Sequence, residues 1–426
     1  MPDNNYTPFL SQSTIIEQRN DKFLVLNPEK PDWLVINNSA LLLLSLIDNK
    51  RTIDEIAKLS DELNCDLNIQ EVKDFFLDTE VKCFLSQHQP VKNENTYLKN
   101  IHIHLTSKCN FKCNYCYVPN AVKMKEDILA PSAIQSFLKQ IVPKFSPNIT
   151  LTGGEPMLHP NFFEIVDMIH SDFQLGMILL TNGSLITQEN ISKIVSHISL
   201  IQISLDSNNQ KINDKLRRKG AYETVKNAVE LLQKSKANYK IACTVSKLNI
   251  ESLKGLVETF GNRVLFQPLY RLNDVNNFME EYYIEGFEYY SALKAIPNIE
   301  VLRDMTGTIA RRKNIPCLRC SAGNGSLSID ARGDVYPCHM LHHKEFLSGN
   351  IHTDSFESIY FDSESLKRIR QLTVDNIQEC SKCAVKYLCG GACRARNYYM
   401  NNNLEDCDAF CEYEKNAILD AMFHIE

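Results

Sequence analysis

The sequence predicts an α/β protein: a parallel sheet wound with helices, preceded by a small winged-helix-like module and followed by a cysteine-rich segment. Three observations carry that expectation. Between Ile101 and Phe266 short apolar runs alternate with amphipathic helical stretches, the order that gives parallel strands joined by crossover helices. Residues 21–90 hold two apolar runs around a turn with two prolines, then helical periodicity. Nine of the fifteen cysteines lie beyond residue 311. The expected units are 1–92, 93–310 and 311–426, in keeping with about 150 residues per domain.

In chain order, Phe23-Leu-Val-Leu26 and Trp33-Leu-Val-Ile36 are β-prone runs separated by Asn-Pro-Glu-Lys-Pro, so a hairpin is expected. Ser39 is placed to cap a helix through Leu46. Thr52 precedes a helix carrying Ile53, Ile56, Ala57 and Leu59, and Asn68 precedes Val72, Phe75, Phe76 and Val81 at helical spacing. Two strands and three short helices make a winged-helix-like order. Residues 91–100 are polar and read as a linker. Strands are then expected over Ile101–Leu105, Ile149–Leu151, Met177–Leu180, Leu200–Leu205, Tyr239–Val245 and Val264–Phe266. Helices are expected over Pro131–Ile141, Asn161–Ile169, Tyr222–Gln233 and Ile250–Thr259.

The formal charge of −6 is unevenly spread: residues 1–90 hold 8 Lys+Arg against 15 Asp+Glu, a net −7, which leaves the rest near +1. An acidic module argues against nucleic acid. Arg217-Arg-Lys219 and Arg311-Arg-Lys313 read as solvated basic spots. The first residues lack the basic and apolar regions of a signal peptide, and the longest apolar run, Leu41–Ile47, is too short to span a bilayer. A cytoplasmic protein without membrane association is therefore expected. Cysteines in a reducing compartment read as metal ligands or redox groups, not disulfides. Cys65, Cys83 and Cys243 stand alone in apolar surroundings and read as core thiols.

Directly after the first expected barrel strand comes Cys109-Asn-Phe-Lys-Cys113-Asn-Tyr-Cys116. Three thiolates can hold a four-iron cluster by three of its irons and leave the fourth open. This spacing, with an aromatic before the last cysteine, resembles the signature of radical S-adenosylmethionine (SAM) enzymes. The resemblance implies a partial (β/α)6 barrel, SAM on the open iron, and cleavage of SAM to a 5'-deoxyadenosyl radical by a low-potential cluster. It also implies cofactor contacts. Gly153-Gly154-Glu155-Pro156 would meet the SAM ammonium, Asn182, Ser204 and Asp206 the ribose or methionine part, and Arg217 the carboxylate, with Arg218 equally placed. Tyr115 and Tyr117 flank Cys116, where they either shield the cluster, support adenine or pack in the core. His102 and His104 alternate along the first strand and read as satisfied barrel-interior histidines, not metal ligands.

The later cysteines are Cys317-x2-Cys320, Cys338 after Gly333, Cys380-x2-Cys383-x5-Cys389-x3-Cys393, and Cys407 and Cys411. Paired Cys-x2-Cys units also suit zinc. The whole pattern resembles the SPASM extension of radical SAM enzymes, which implies two auxiliary [4Fe-4S] clusters with interleaved ligands. One would take Cys317, Cys320, Cys338 and Cys393. The other would take Cys380, Cys383, Cys389 and Cys411, with Cys407 as the alternative last ligand. Where the sulfatase-maturing branch has an acidic residue after the cysteine equivalent to Cys338, this chain has His339, which is either a proton acceptor or a surface or supporting histidine.

The order of the first module, with its Thr-Ile-Asp-Glu-Ile-Ala helix, resembles the recognition domain of ribosomal-peptide (RiPP) maturation systems, similar to a PQQ peptide chaperone. There a precursor's leader adds as a strand to the hairpin edge, which is β-augmentation. The resemblances together imply a radical SAM maturase of the sactipeptide or ranthipeptide type, which forms an oxidative crosslink in a precursor peptide, a thioether before the others. A flavodoxin or ferredoxin would supply the low-potential electron. Carbon–carbon or carbon–oxygen crosslinking, maturation of a folded sulfatase or quinohemoprotein, and a non-catalytic metal-cluster protein that docks a peptide are the alternatives.

Overall fold

A computed structural model describes residues 6–63, 65–87, 97–118, 127–271, 277–296 and 301–425. The first module opens with a three-stranded antiparallel sheet, β1 (Ile15–Arg19), β2 (Lys22–Asn27) and β3 (Asp32–Ile36), in that order. Only β2 and β3 were legible as strands. Strand β1 escapes a pattern search because it is an edge: Ile16 is exposed and none of its residues is fully buried. Helix α1 (Asn38–Ser45) is capped by Asn37, whose side chain accepts the Ala40 N–H at 2.9 Å, so Asn37 replaces Ser39 as the start signal. Thr52 caps α2 (Ile53–Glu62) and Asn68 caps α3 (Ile69–Leu77), both in capping boxes with the Glu three residues on. Asp78 caps a further short helix, α4 (Thr79–Phe84).

The two faces of this sheet have different partners. Val25 and Leu34 pack with Leu43, Ile56, Val72 and Phe76 of the helices. Leu24, Leu26 and Trp33 point the other way, into a core with Ile309, Val385, Leu388, Ile418 and Leu419 of the C-terminal region. Burial on both faces explains why β2 reads as a continuous apolar run instead of alternating.

The central sheet has the order β12-β11-β10-β4-β5-β6-β7-β8-β9. Six strands run parallel in chain order: β4 (Asn100–Thr106), β5 (Asn148–Gly153), β6 (Met177–Thr181), β7 (Leu200–Ser204), β8 (Tyr239–Val245) and β9 (Val264–Pro268). Three short strands of the cysteine-rich segment extend it beyond β4: β10 (Ser326–Ile329), parallel to β4, then β11 (Asp334–Tyr336) and β12 (Gly349–Asn350), antiparallel. Among the described residues β9 does not pair with β12, so the barrel is partial. Alternate residues such as Ile101, Ile103, Ile149, Leu151, Ile201 and Ile203 form the core under the helices. The opposite parity, with His102, His104, Thr150, Thr152, Gln202, Ser204 and Thr244, lines the concave face. Cys243 is buried as expected; Cys83 is exposed, because it lies on the outer side of α4, and Cys65 is half-buried.

Candidate active site

The cysteine loop grows out of the C-terminal end of β4 and is fastened to the turn after β5. The Gly154 N–H donates to the Thr106 carbonyl and the Glu155 N–H to the Lys108 carbonyl, both at 2.8 Å. A Cβ on Gly153 would stand 2.4 Å from the Thr106 oxygen, and one on Gly154 2.1 Å from the Lys108 oxygen. Both glycines are therefore dictated by close approach of the cysteine loop's backbone. Cys109, Cys113 and Cys116 are half-buried and form no disulfide. Burial pushes the Cys113 thiol up to about 11, with Cys116, Asp206 and Cys109 adding to the rise and Arg217 opposing it.

The Glu155 side chain turns inward, toward the end of β6. Its carboxylate accepts the Thr181 hydroxyl and the Asn182 N–H, both at 2.8 Å, and so ties β5 to the end of β6. Burial raises its pKa to about 7 against these hydrogen bonds. Asn182 reaches over the loop: its Nδ2 donates to Asn110 Oδ1 at 2.8 Å and lies 4.0 Å from Cys109 Sγ. Ser204 is half-buried on the concave side at the end of β7.

Asp206, fully buried, is the hub of the next strand ends. It holds Arg217 by two contacts, Nε–Oδ2 at 2.8 Å and Nη2–Oδ1 at 2.9 Å, accepts the Thr244 N–H at 2.9 Å, and accepts the Tyr115 hydroxyl. The Arg217 guanidinium lies 5.7 Å from the centre of the Tyr115 ring. In this structure Arg217 thus spends its fork on Asp206, whereas exposed Arg218 stacks 4.2 Å from the centre of the Phe111 ring, on the cysteine loop itself. Burial drives the Tyr115 hydroxyl well above its ordinary range.

A second feature of the concave face was only partly anticipated. The His102 ring packs, tilted, against His339 at 4.4 Å between ring centres, and His104 against His342 at 4.6 Å. The Tyr117 ring lies 6.2 Å from His104 and 6.3 Å from His339. Burial lowers all four histidines, His339 to about 4 and His342 to about 3. His342 was missed; its only sequence signal is its place three residues after His339. Its Nε2 meets the Ser328 hydroxyl at 2.8 Å, and His339 Nδ1 is 3.8 Å from Cys338 Sγ.

The C-terminal cysteines fall into two neighbourhoods. Cys320, Cys338 and Cys393 influence one another electrostatically, burial raising each of them, Cys320 to about 11. Cys317 stands beside the turn at Gly390, where a Cβ would come 2.5 Å from its sulfur. In the second neighbourhood burial raises Cys380 to about 11 and Cys389 to about 12. Cys411 is raised by burial, then by Cys407, Cys389 and Cys383. Both Cys407 and Cys411 therefore belong to this second group.

Among the described residues no three His, Cys, Asp or Glu side chains converge on a single metal ion. A four-iron cube spreads its thiolates further apart than one tetrahedral ion with bonds of about 2.3 Å does. All-sulfur sets of three and four suit iron–sulfur clusters, which are held by cysteine thiolates. The residues fit that group.

Two family models match the chain: the radical SAM superfamily over residues 103–260 and the iron–sulfur cluster-binding SPASM domain over residues 320–384. The chain carries a radical SAM domain followed by an SPASM domain. It is an enzyme of radical chemistry whose cofactors are SAM, the [4Fe-4S] cluster that binds it, and auxiliary clusters. The antilisterial bacteriocin subtilosin biosynthesis protein AlbA of Bacillus subtilis is 26% identical over 423 residues, covering 91% of this chain and 90% of that protein. The solved structure of SAM-bound anSMEcpe superposes with a TM-score of 0.64 at 21% identity, over 76% of this chain and 97% of that one. SuiB of Streptococcus suis bound to its precursor peptide SuiA superposes at 0.60 and 13% identity, over 95% and 100%. These two likenesses establish the fold of the radical SAM chain; no helix among its described residues is long and apolar enough to cross a membrane.

Proposed function

We propose that this protein is a maturase of a ribosomally made precursor peptide and forms an oxidative crosslink in it, a thioether before a carbon–carbon or carbon–oxygen bond. The observation that carries the reading is the acidic three-stranded module built into the same body as a radical SAM barrel and an SPASM domain. The curated relative that spans nine-tenths of the chain is itself named for bacteriocin biosynthesis. Among the described residues no strand pairs with the outer edge of β3, which offers the leader a place to add as a fourth strand, and Leu42 of α1 is exposed beside the sheet.

In this reading Cys109, Cys113 and Cys116 hold the SAM-binding cluster, which when reduced supplies the electron that breaks a carbon–sulfur bond of SAM. The backbone of Gly153 and Gly154, together with Asn182 and Ser204, contacts the cofactor. Arg218, which stacks on Phe111 and donates to the Asn110 carbonyl of the cysteine loop, is the partner for its carboxylate, and the Asp206–Arg217–Tyr115 unit braces the strand ends. Cys317, Cys320, Cys338 and Cys393 hold one auxiliary cluster; Cys380, Cys383 and Cys389 with Cys411 or Cys407 hold the other. His339, neutral by burial, takes the proton released when a peptide thiol closes on the substrate carbon. A reducing cytoplasm and a flavodoxin or ferredoxin donor complete the scheme.

The test is coexpression with a short precursor encoded beside this chain, followed by mass spectrometry of the peptide. The expected result is a loss of two hydrogens per crosslink that disappears in the Cys109/Cys113/Cys116→Ala protein. Leu42→Asp should weaken leader binding at least tenfold and leave cleavage of SAM intact. An unmodified peptide, combined with modification of a neighbouring sulfatase-type enzyme, refutes the peptide reading.

A further inference from the structure

Two arginines follow the last cysteine of the Cys380–Cys393 run, and the structure treats them differently. Arg396 has carboxylate partners: Asp408 through Nε at 2.7 Å and Glu414 through Nη2 at 3.0 Å. Arg394 is more deeply buried, at 2% exposure, and no carboxylate lies within ion-pair distance of it among the described residues. Its guanidinium donates only to backbone carbonyls, those of Leu404 at 2.8 Å, Asp406 at 3.0 Å and Gly391, while its Nε is buried without a partner.

A buried cation without a counter-charge costs several kcal/mol as a rule. The fold nevertheless keeps Arg394 beside the second cysteine neighbourhood: the carbonyls that hold its guanidinium include those of Gly391, two residues past Cys389, and Asp406, the residue before Cys407. A cluster with four thiolates is net anionic, and one unit more so when reduced. A fixed cation beside it stabilises the reduced form and raises the potential.

We propose that Arg394 is the counter-charge of the auxiliary cluster in the Cys380/Cys383/Cys389 array and raises the potential at which that cluster accepts the electron released on crosslinking. The inference rests on the iron–sulfur reading of the two arrays and is independent of the identity of the peptide. Arg394 is a positioning residue in this scheme: it touches neither peptide nor SAM. Arg396, neutralised by Asp408 and Glu414, contributes much less.

The measurement is a redox titration of the auxiliary clusters, followed by electron paramagnetic resonance, in the Cys109/Cys113/Cys116→Ala background that removes the SAM-binding cluster. Arg394→Gln should retain its iron yet show a reduced-to-oxidised ratio at least tenfold lower at a given potential, a downward shift of about 59 mV for one electron. Arg394→Lys keeps the charge and should stay within threefold of the parent. If Arg394→Gln takes up no iron, the lysine variant decides: loading with an unchanged midpoint supports the proposal. Failure of both variants to load assigns Arg394 to clamping the loop through its carbonyls and overturns it, as do equal midpoints for the glutamine variant and the parent. Zinc in place of iron in the parent would instead refute the iron–sulfur reading itself.

Discussion

Separating Asp206 from Arg217 is the sharpest test of how the strand ends are held. Both side chains are buried, with 0% and 7% of their surface exposed, and they meet through two contacts of 2.8 and 2.9 Å. Arg217→Gln leaves a buried carboxylate with only the Tyr115 hydroxyl and the Thr244 N–H as donors. Asp206→Asn leaves a buried guanidinium with no anion. Breaking a buried pair from either side costs about 3–5 kcal/mol, or about two to nearly four powers of ten in the folding equilibrium at 1.4 kcal/mol per tenfold. The double variant Asp206→Asn/Arg217→Gln removes both charges and lets two amides face each other. Its cost should be smaller than that of either single change. Urea unfolding followed by circular dichroism, under anaerobic conditions and with equal iron content, gives the three values. We expect the double variant to fall short of the sum of the singles by at least about 2 kcal/mol, within the coupling seen for residues in one network. Additivity to within about 0.5 kcal/mol would mean that the two residues act separately and would refute the brace.

Three further outcomes follow from other contacts. Glu155, with its pKa raised to about 7 from 4.5, binds more protons folded than unfolded, so its stabilising effect is full below pH 4.5 and is lost as pH rises through 7. Glu155→Gln should flatten the decline of wild-type stability between pH 5 and 7.5, by about 3 kcal/mol at most; parallel curves for the two proteins would show that the carboxylate is ionised throughout. Gly154→Ala sets a Cβ 2.1 Å from the Lys108 carbonyl, backbone against backbone. It should cost at least about 2 kcal/mol and lower the iron bound at the first site, while a variant with normal iron and melting point would show that the loop can retreat. Trp33→Ala removes a side chain that is 2% exposed, in the core shared with Ile418 and Leu419. It should cost about 3–5 kcal/mol and make the junction between the module and the C-terminal helix sensitive to proteolysis; an unchanged digestion pattern would deny the docking.

Much of this architecture was legible because local rules and tertiary packing agree. Helix Pro131–Ile141 begins and ends where its apolar spacing says, and all six parallel strands lie where short apolar runs follow helical stretches. The elements that were not legible share a physical cause. Strands β10–β12 have only two to four residues each, too short for a period to show, and they become strands because β4 offers a free edge. Strand β1 hid as a half-exposed edge. At the site, the resemblance grouped Cys320 with Cys338 and Cys393, and Cys380, Cys383 and Cys389 with Cys411 or Cys407, and the fold sets the same cysteines near one another. Side-chain direction is not encoded so simply. Glu155 turns inward to Thr181, and Arg217 is taken by Asp206, and neither choice can be read from a motif that names residues but not partners.

The short strands that the sequence concealed also explain how the two halves of the chemistry meet. Because β10 pairs in parallel with β4, Ser328 stands beside His102, and the hairpin that follows delivers Cys338, His339 and His342 to the concave face of the barrel. Tyr117, next to Cys116, lies against His104 and His339 of the same cluster. A flexible tether between barrel and cysteine-rich segment would leave their separation variable, whereas continuous strand pairing fixes it to the spacing of neighbouring strands, about 4.8 Å. In the proposed reaction, an electron or proton leaving a substrate radical in the lumen would meet a wall whose distance from the first cysteine loop is set by backbone hydrogen bonds. The N-terminal module is docked through Trp33 onto Ile309, Leu388 and the C-terminal helix. A leader held on β3 would thus present its attached chain in a constant register relative to both cysteine arrays, which is the condition for choosing one carbon among many similar ones.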